Sequence, residues 1–161
     1  MEETIRFHKT ELDESLYHLI PYDSTMTALK DAWKSLKGKV VYVDVWATWC
    51  GPCKEMFQYV PAFKEKAKDL EVAYLYLSID RPQAEKIWKK SIPYYNLKGH
   101  HLLAGKELAQ AVYRELGNER VILSIPRFLI VDKEGNIVVP NAASPDQPEK
   151  LIEQLKEVLA K

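Results

Sequence analysis

The chain has 161 residues, and its 23 basic and 23 acidic side chains give a formal net charge of zero at pH 7. This length suits one domain with a full hydrophobic core, and the contents of hydrophobic (47%) and charged (29%) residues are ordinary for a globular protein. The balanced charge argues against a nucleic-acid partner, and no apolar run approaches the length that spans a bilayer.

The first part of the chain predicts a polar lead-in, a helix and a strand. Residues 1–23 form a polar N-terminal extension that we expect to hold one short strand. Four apolar residues then recur at helical spacing, and Gly38 follows them as a natural stop. They are Met26, Leu29, Trp33 and Leu36. The β-branched run 40–46 is typical of a central strand that is buried on both faces.

Further helices and strands follow in alternation. A helix is predicted over residues 50–69, with a kink at Pro61, because a proline ring displaces a backbone hydrogen bond inside a helix. Residues 72–79 predict a second strong strand. Residues 80–82 then open a helix that is expected to run through Trp88.

The last third of the chain predicts a helix, a hairpin and a terminal helix. The helix is expected over residues 104–116, and two strands at 127–132 and 137–139 are joined by a short turn. Pro148 begins a helix with one apolar face. This order predicts a single α/β domain over residues 1–161, with a mixed central β-sheet that helices cover on both faces.

Cys50 and Cys53 are the only cysteines of the chain, and they directly follow the predicted strand 40–46. A Cys-X-X-Cys pair between a strand and a helix is typical of sites that make and break disulfides. A zinc site would need four ligands, and the four histidines show no suitable spacing to this pair, so we expect no metal. A purely structural bridge is disfavoured because closing so small a loop removes little chain entropy.

Two segments carry a resemblance to a known superfamily. The run 46–53, WATWCGPC, and the segment 124–128, SIPRF, resemble the thioredoxin superfamily, and the resemblance covers roughly residues 25–160. Compared with a bare thioredoxin, the chain has an insertion at 81–123 that is long enough for two helices. The insertion, together with VWATWCGPCK and RFLIVDKEGNIV, is similar to TlpA/ResA-type proteins, which are extracytoplasmic thiol-disulfide oxidoreductases. The resemblance implies a thioredoxin-like fold with a helical insertion before the cis-proline strand.

The chain departs from these families in three respects. Met56 and Gln58 stand where TlpA/ResA-type proteins usually have glutamate and proline, and Arg127 stands where many relatives have threonine. Thioredoxins carry a lysine near their buried aspartate, in the strand after the motif helix, whereas residues 71–80 contain none. Proton handling and partner choice therefore do not follow from the resemblance.

The two cysteines have different expected roles. Cys50 lies at the expected N-terminus of the motif helix, where free backbone N–H groups and the helix dipole favour negative charge, so we expect it to be the attacking thiolate. Cys53, one turn later and more sheltered, is expected to resolve the mixed disulfide. Gly51 and Pro52 are expected to restrict the loop that holds the sulfurs close together and to border the bound substrate. The pair resembles the Gly-Pro pair of reducing thioredoxins.

Asp44 is a carboxyl group within an apolar strand, a placement that is costly unless the group is paired or functional. In thioredoxins, the matching aspartate lies behind the second cysteine and takes its proton. We therefore expect burial to raise the pKa of Asp44 and its carboxylate to act in proton transfer. Structural hydrogen bonding is the alternative.

Substrate-binding residues are expected on both sides of the cysteine pair. Trp49 is expected to present an apolar surface beside the sulfurs, whereas Trp46 is expected in the core. The resemblance implies that Pro126 is cis and faces the disulfide, which leaves the backbone of Ile125 able to pair with an extended peptide. Arg127 is expected near this groove, and a solvated or salt-bridged arginine is the alternative.

The expected activity is reduction of disulfides in a protein substrate through a Cys50–Cys53 dithiol/disulfide cycle. The sequence has no flavin or nicotinamide fingerprint, so we expect no cofactor besides this disulfide and a separate upstream electron donor. We also expect the enzyme to be a monomer. An oxidant or isomerase of the same fold, and a redox-inactive binding module, are the alternatives.

The absence of cysteines outside the pair fits an exported enzyme and a small cytosolic thioredoxin equally. The insertion and the resemblance favour an extracytoplasmic or periplasmic location, with membrane tethering in the full-length protein. The N-terminus, residues 1–4, is acidic and polar, so we expect no secretory signal or anchor within this chain. A cytoplasmic location is the alternative.

Overall fold

A six-stranded mixed β-sheet forms the centre of the protein. The computed structural model describes residues 12–117 and 122–161. The strand order across the sheet is β1-β4-β3-β2-β5-β6. The strands are β1 (Tyr17–Leu19), β2 (Val40–Trp46), β3 (Val72–Ser78), β4 (Gly99–Leu103), β5 (Arg127–Val131) and β6 (Ile137–Val139).

Strand β2 lies in the middle of the sheet, parallel to β3 and antiparallel to β5. Strand β4 pairs in parallel with β3 and with β1, whereas β6 pairs antiparallel with β5 at the opposite edge. Every residue of β2 is buried, because helices cover both faces of the sheet at this strand. The mixed α/β sheet, the central position of residues 40–46 and the hairpin after residue 127 are confirmed.

The described residues also form five α-helices and three 3₁₀ segments. The helices are α1 (Gly51–Met56), α2 (Val60–Lys66), α3 (Glu85–Tyr94), α4 (Gly105–Leu116) and α5 (Pro148–Leu159). The 3₁₀ segments are Leu29–Leu36, Phe57–Tyr59 and Pro82–Ala84.

The predicted motif helix 50–69 is interrupted near Pro61, as expected. The 3₁₀ turn Phe57–Tyr59 separates α1 from α2, and Pro61 lies in the first turn of α2. A proline is tolerated there because the N–H groups of a first turn have no partner within the helix. The second half of the predicted helix is shorter than expected, since α2 ends at Lys66.

Three other sequence predictions need correction. The insertion 81–123 is not purely helical, because β4 lies between α3 and α4 and joins the sheet beside β3. The helix expected to end at Trp88 continues to Tyr94, with Pro93 inside its last turn. The segment Leu29–Leu36 is a 3₁₀ helix with a kink at Trp33 rather than a regular α-helix. The short strand expected in the N-terminal extension is β1, and residues 1–11 lie outside the described part.

Two hydrophobic layers cover the sheet, one on each face. The first layer includes Leu29 and Trp33 of the 3₁₀ segment and Leu108 of α4, and the second includes Phe63 of α2 and Leu155 of α5. Side chains of a strand alternate between faces. The odd-numbered valines of β2 belong to the first layer, and its even-numbered Val40 and Tyr42 belong to the second. This alternation places the Asp44 side chain on the same face as α2.

Candidate active site

The turn between β2 and α1 brings Cys50 and Cys53 together in a disulfide, with 5.3 Å between their Cα atoms. Cys53 is fully buried, and the exposed fraction of Cys50 is 4%. Cys50 is therefore the more accessible sulfur of the pair. The expectation that Cys53 is the more sheltered cysteine is confirmed.

Cys50 is the N-cap residue of α1, and Pro52 lies in the first turn of that helix. The backbone N–H of Cys53 points at the Cys50 sulfur, with 3.2 Å between nitrogen and sulfur. Because unpaired N–H groups at a helix start attract negative charge, this position favours a thiolate on Cys50 once the disulfide is reduced.

The segment before β5 approaches the disulfide from the other side. The Ile125–Pro126 peptide bond is cis, as the sequence analysis predicts. The carbonyl oxygen of Ile125 lies 3.8 Å from the Cys50 sulfur. The main chain of this segment therefore borders the sulfur that is the more accessible of the two.

The two tryptophans near the motif lie in different surroundings. Trp46 is fully buried and packs edge-on against Phe57, with ring centroids 5.2 Å apart. Trp49 has an exposed fraction of 63%, and it borders a groove of ≈ 960 Å³ whose other wall includes Tyr113 of α4. The core position of Trp46 is confirmed, and Trp49 presents an open aromatic surface next to Cys50.

Arg127 is held by backbone carbonyl groups rather than by an acidic side chain of the described residues. Its Nε donates to the carbonyl oxygen of Pro140 (2.9 Å), and a terminal nitrogen donates to that of Leu116 (3.2 Å). Partial burial lowers the pKa of the guanidinium from its usual value. These bonds connect the start of β5 to the residue after β6 and to the end of α4. A contact between Arg127 and substrate stays a prediction.

Asp44 is buried, and its Oδ1 atom has no hydrogen-bond partner among the described residues. Burial raises the pKa of this carboxyl group to about 8, because a charged carboxylate loses its hydration in the interior. Lys64 opposes this rise in the pKa of Asp44. The expected increase in pKa is confirmed, and the carboxyl group can exchange a proton near neutral pH.

Lys64 is a residue of the site that the sequence analysis missed. Thioredoxins carry this lysine in the strand that matches residues 71–80, and β3 has none. The cation comes instead from α2, which lies against the same face of the sheet as Asp44. The spacing of residues along α2 does not reveal that Lys64 lies near Asp44, because the two residues belong to separate elements.

Asp80 is a second residue whose position the sequence analysis did not foresee. Its buried carboxylate accepts hydrogen bonds from the backbone N–H of Thr48 (2.9 Å), the Thr48 hydroxyl (2.7 Å) and the Ser78 hydroxyl (2.6 Å). Thr48 belongs to the turn that leads to Cys50. Strands β2 and β3 are parallel, with Trp46 opposite Ser78. Thr48 lies two residues after Trp46 and Asp80 two residues after Ser78, so the pairing of these strands predicts that the two side chains meet. Asp80 therefore anchors the motif turn to the end of β3.

The described residues contain no group of three or more histidine, cysteine, aspartate or glutamate side chains placed to hold a metal ion. Within the same residues, none of the helices has the length and apolar character required to cross a bilayer.

The profile of the Redoxin family matches residues 23–158 of the chain. A ResA thiol-disulfide oxidoreductase of Bacillus thuringiensis subsp. konkukian is 25% identical over 132 residues, which cover 80% of this chain and 66% of that protein. Other ResA proteins match over as little as 56% of their length. The chain thus spans between about half and two thirds of the length of these curated relatives.

Solved structures show the same fold. A Bacteroides vulgatus protein provisionally named a thiol-disulfide oxidoreductase is 31% identical, with a TM-score of 0.60, over 82% of this chain and 78% of that chain. A thiol:disulfide interchange protein from Bacteroides sp. is 26% identical, with a TM-score of 0.60, over 76% of each chain. The expected thioredoxin-like fold and TlpA/ResA-like relationship are confirmed.

Proposed function

Because the chain belongs to the Redoxin family, we propose that it is a thiol-disulfide oxidoreductase that reduces disulfides in protein substrates. The observation that carries this proposal is the Cys50–Cys53 disulfide at the start of α1. The cis Ile125–Pro126 segment lies next to it. The names of the ResA relatives and of the Bacteroides proteins support the same chemistry.

The reaction begins with the reduced protein. The Cys50 thiolate attacks one sulfur of the substrate disulfide, a bond forms between Cys50 and the substrate, and the second substrate sulfur leaves as a thiolate. Asp44 then accepts the proton of the Cys53 thiol, and the Cys53 thiolate attacks the Cys50 sulfur. The bond between Cys50 and the substrate breaks, so that the substrate gains two electrons and the Cys50–Cys53 disulfide forms.

We propose that the substrate binds as an extended peptide beside Ile125 and Pro126, with Trp49 on the opposite side. The contact between the Ile125 carbonyl and Cys50 supports this arrangement, since a peptide that pairs with the backbone there would lie along the reacting sulfur. The 63% exposed side chain of Trp49 offers an aromatic surface that needs no rearrangement to reach a substrate.

A separate donor must reduce the Cys50–Cys53 disulfide after each cycle, because the chain contains no fingerprint for a redox cofactor. We propose an extracytoplasmic location for the enzyme. The insertion at 81–123 and the resemblance to TlpA/ResA-type proteins support this location. Fractionation of cells that produce the full-length protein tests it, and recovery only from the cytoplasm would contradict it.

Reduction of insulin, with dithiothreitol as donor, tests the proposed activity. The protein is expected to accelerate reduction well above the rate with dithiothreitol alone. Cys50→Ser should abolish the acceleration. Cys53→Ser, first reduced and then freed of dithiothreitol, should form a stoichiometric mixed disulfide with insulin through Cys50 and stop there, because no other thiol is present to resolve it. A wild-type protein that neither accelerates reduction nor forms a mixed disulfide would favour the redox-inactive binding module.

A further inference from the structure

We propose that Lys64 is a positioning residue for the redox cycle, because its side chain lines the same small cavity as Asp44 and its charge stabilises the carboxylate that accepts the Cys53 proton. This inference rests on the proposed function, and it assigns the cation that the sequence of β3 lacks. The lysine acts through Asp44 and needs no contact with the substrate.

The Lys64 side chain is held against the sheet by three contacts. Its Nζ donates to the carbonyl oxygen of Lys98 at 2.6 Å. The same nitrogen lies 4.6 Å from the ring centroid of Tyr74 and 5.4 Å from that of Tyr76. A cation over aromatic faces is attracted to them, so the ammonium group is fixed beneath β3 rather than extended into solvent.

Neighbouring lysines on the same segment have different surroundings. Lys66 forms an exposed ion pair with Glu149, and Lys68 forms one with Glu65. Exposed pairs of this kind contribute little to stability. The cation at position 64 is thus set apart from the other lysines of its segment, and Lys66 offers a matched control.

The cavity that Lys64 shares with Asp44 has a volume of ≈ 10 Å³, about the room that the centre of one water molecule needs. The Oδ1 atom of Asp44 has no hydrogen-bond partner among the described residues. The distance between the carboxylate and the ammonium group exceeds that of an ion pair, since no salt bridge within 4.0 Å joins them in the described residues. Lys64 therefore acts across the cavity, by its charge.

Lys64 is also the one cation among the described residues that line this cavity. The other titratable groups there are tyrosines, namely Tyr42 on the strand of Asp44 and Tyr74 and Tyr76 on β3. Burial raises the pKa of all three phenols above the usual value, so they stay neutral near pH 7. Beyond Tyr76, the buried His101 stacks on that ring, and burial lowers its pKa to about 3, so it is neutral as well.

The charges of Asp44 and Lys64 support each other. Lys64 lowers the pKa of Asp44 against the effect of burial, and Asp44 raises the pKa of Lys64, which burial and Lys98 lower to about 8. Only an ionised Asp44 can take the proton of the Cys53 thiol. Loss of the cation therefore reduces the fraction of protein that is ready for the resolving step at neutral pH.

Two measurements on Lys64→Met test the proposal. The first is titration of the Asp44 carboxyl carbon by NMR in the oxidised protein. The second is the pH profile of the single-turnover rate at which a mixed disulfide on Cys50 is resolved. Both midpoints should move to higher pH by about one unit, the low end of the effect of a nearby opposite charge. The resolution rate at pH 7 should fall by up to about tenfold, since one pH unit is a tenfold change in ionisation.

Matched variants separate this effect from a loss of structure. Lys64→Arg keeps the cation and should keep both midpoints, and Lys66→Met removes an exposed lysine of the same helix and should move neither. In an Asp44→Asn background, Lys64→Met should cause no further change in the resolution rate. Unchanged midpoints in a folded Lys64→Met protein would overturn the proposal.

The same variants distinguish this proposal from the proposed function. If Asp44→Asn slows resolution and Lys64→Met does not, the role of Lys64 is wrong while the redox function stands. If the wild-type protein resolves no mixed disulfide, the proposed function fails, and the catalytic use of Asp44 and Lys64 fails with it. In that case, a moved Asp44 titration would still establish the electrostatic contact across the cavity.

Discussion

Asp44 combines a position in the middle of the sheet with a group that is costly to bury. The pKa of its carboxyl group is about 8 in the folded protein. In the unfolded chain, where the group is exposed, the pKa has its ordinary value of 3.8. The folded state therefore binds a proton at this site that the unfolded state releases between those two pH values. Because the unfolded chain ionises in this range and the folded protein does not, the free energy of unfolding falls progressively as pH rises from about 4 to about 8.

Asp44→Asn should stabilise the oxidised protein at neutral pH. The difference in free energy of unfolding between the variant and the wild type should be near zero below about pH 4, and about 2–4 kcal/mol in favour of the variant at pH 7. Urea unfolding at several pH values between 4 and 8 measures this difference. Protonation of the buried His101 on acidification affects both proteins alike, so it cancels in the comparison.

The exposed Asp69 provides the control, since Asp69→Asn should leave the pH dependence unchanged. A constant difference between Asp44→Asn and wild type over pH 4 to 8 would contradict a raised pKa at Asp44.

Asp80 is the residue that ties the motif turn to the sheet. Replacement by alanine would leave the N–H and hydroxyl of Thr48 and the hydroxyl of Ser78 without their acceptor. Because hydrogen bonds to a charged group are stronger than neutral ones, Asp80→Ala should lower the free energy of unfolding by about 2–4 kcal/mol. Denaturant unfolding tests this value, with Asp69→Ala as the exposed control. A loss as small as that of the control would show that the turn is held elsewhere.

Strand β4 is an element that the sequence analysis did not predict. Its sequence, GHHLL, contains two adjacent histidines and no clear alternation, so the segment 99–103 does not resemble a buried strand. In the folded protein, the His101 ring nitrogen bonds to the carbonyl of Leu97, and the ring stacks on Tyr76 with centroids 4.9 Å apart. These tertiary contacts make a buried histidine acceptable, and local sequence does not reveal them.

Other elements follow closely from local sequence. The β-branched run of β2, the hairpin after β5 and the proline of α2 each produce the expected structure because their determinants are short-range. Bounds differ more where a helix ends without a strong signal, as at Tyr94 of α3.

The start of α4 depends on a glycine that no other residue replaces easily. Gly105 has a φ of 71°, and an added Cβ would lie 2.6 Å from the Tyr22 ring. Gly38 has a φ of 96° with nothing within 4 Å of an added Cβ, so it isolates the effect of the backbone conformation. Gly38→Ala should cost about 1–2 kcal/mol, and Gly105→Ala should cost about 1–3 kcal/mol more because of the overlap.

Thermal or denaturant unfolding of the two glycine variants gives the comparison directly. Equal losses of stability in both would mean that the Tyr22 ring moves aside at little cost, and that packing does not constrain the start of α4.

Across the whole molecule, the redox pair was predictable from sequence, whereas its electrostatic surroundings were not. Cys50 and Cys53 lie in one short motif next to a strand, so spacing alone indicates them. Lys64 and Asp80 reach the site from α2 and from the end of β3, and their contacts depend on how these elements pack. The cation that lines the cavity beside Asp44 therefore comes from α2 rather than from β3.

The reduction potential of the Cys50–Cys53 pair decides the direction of electron flow for the whole protein. Equilibration in thiol redox buffers, with alkylation to trap the free thiols, measures it. A protein-disulfide reductase should give a value near that of thioredoxin, about −270 mV, and would then depend on an upstream donor. A value near that of the oxidant DsbA, about −120 mV, or the absence of a reversible couple, would contradict the proposed function.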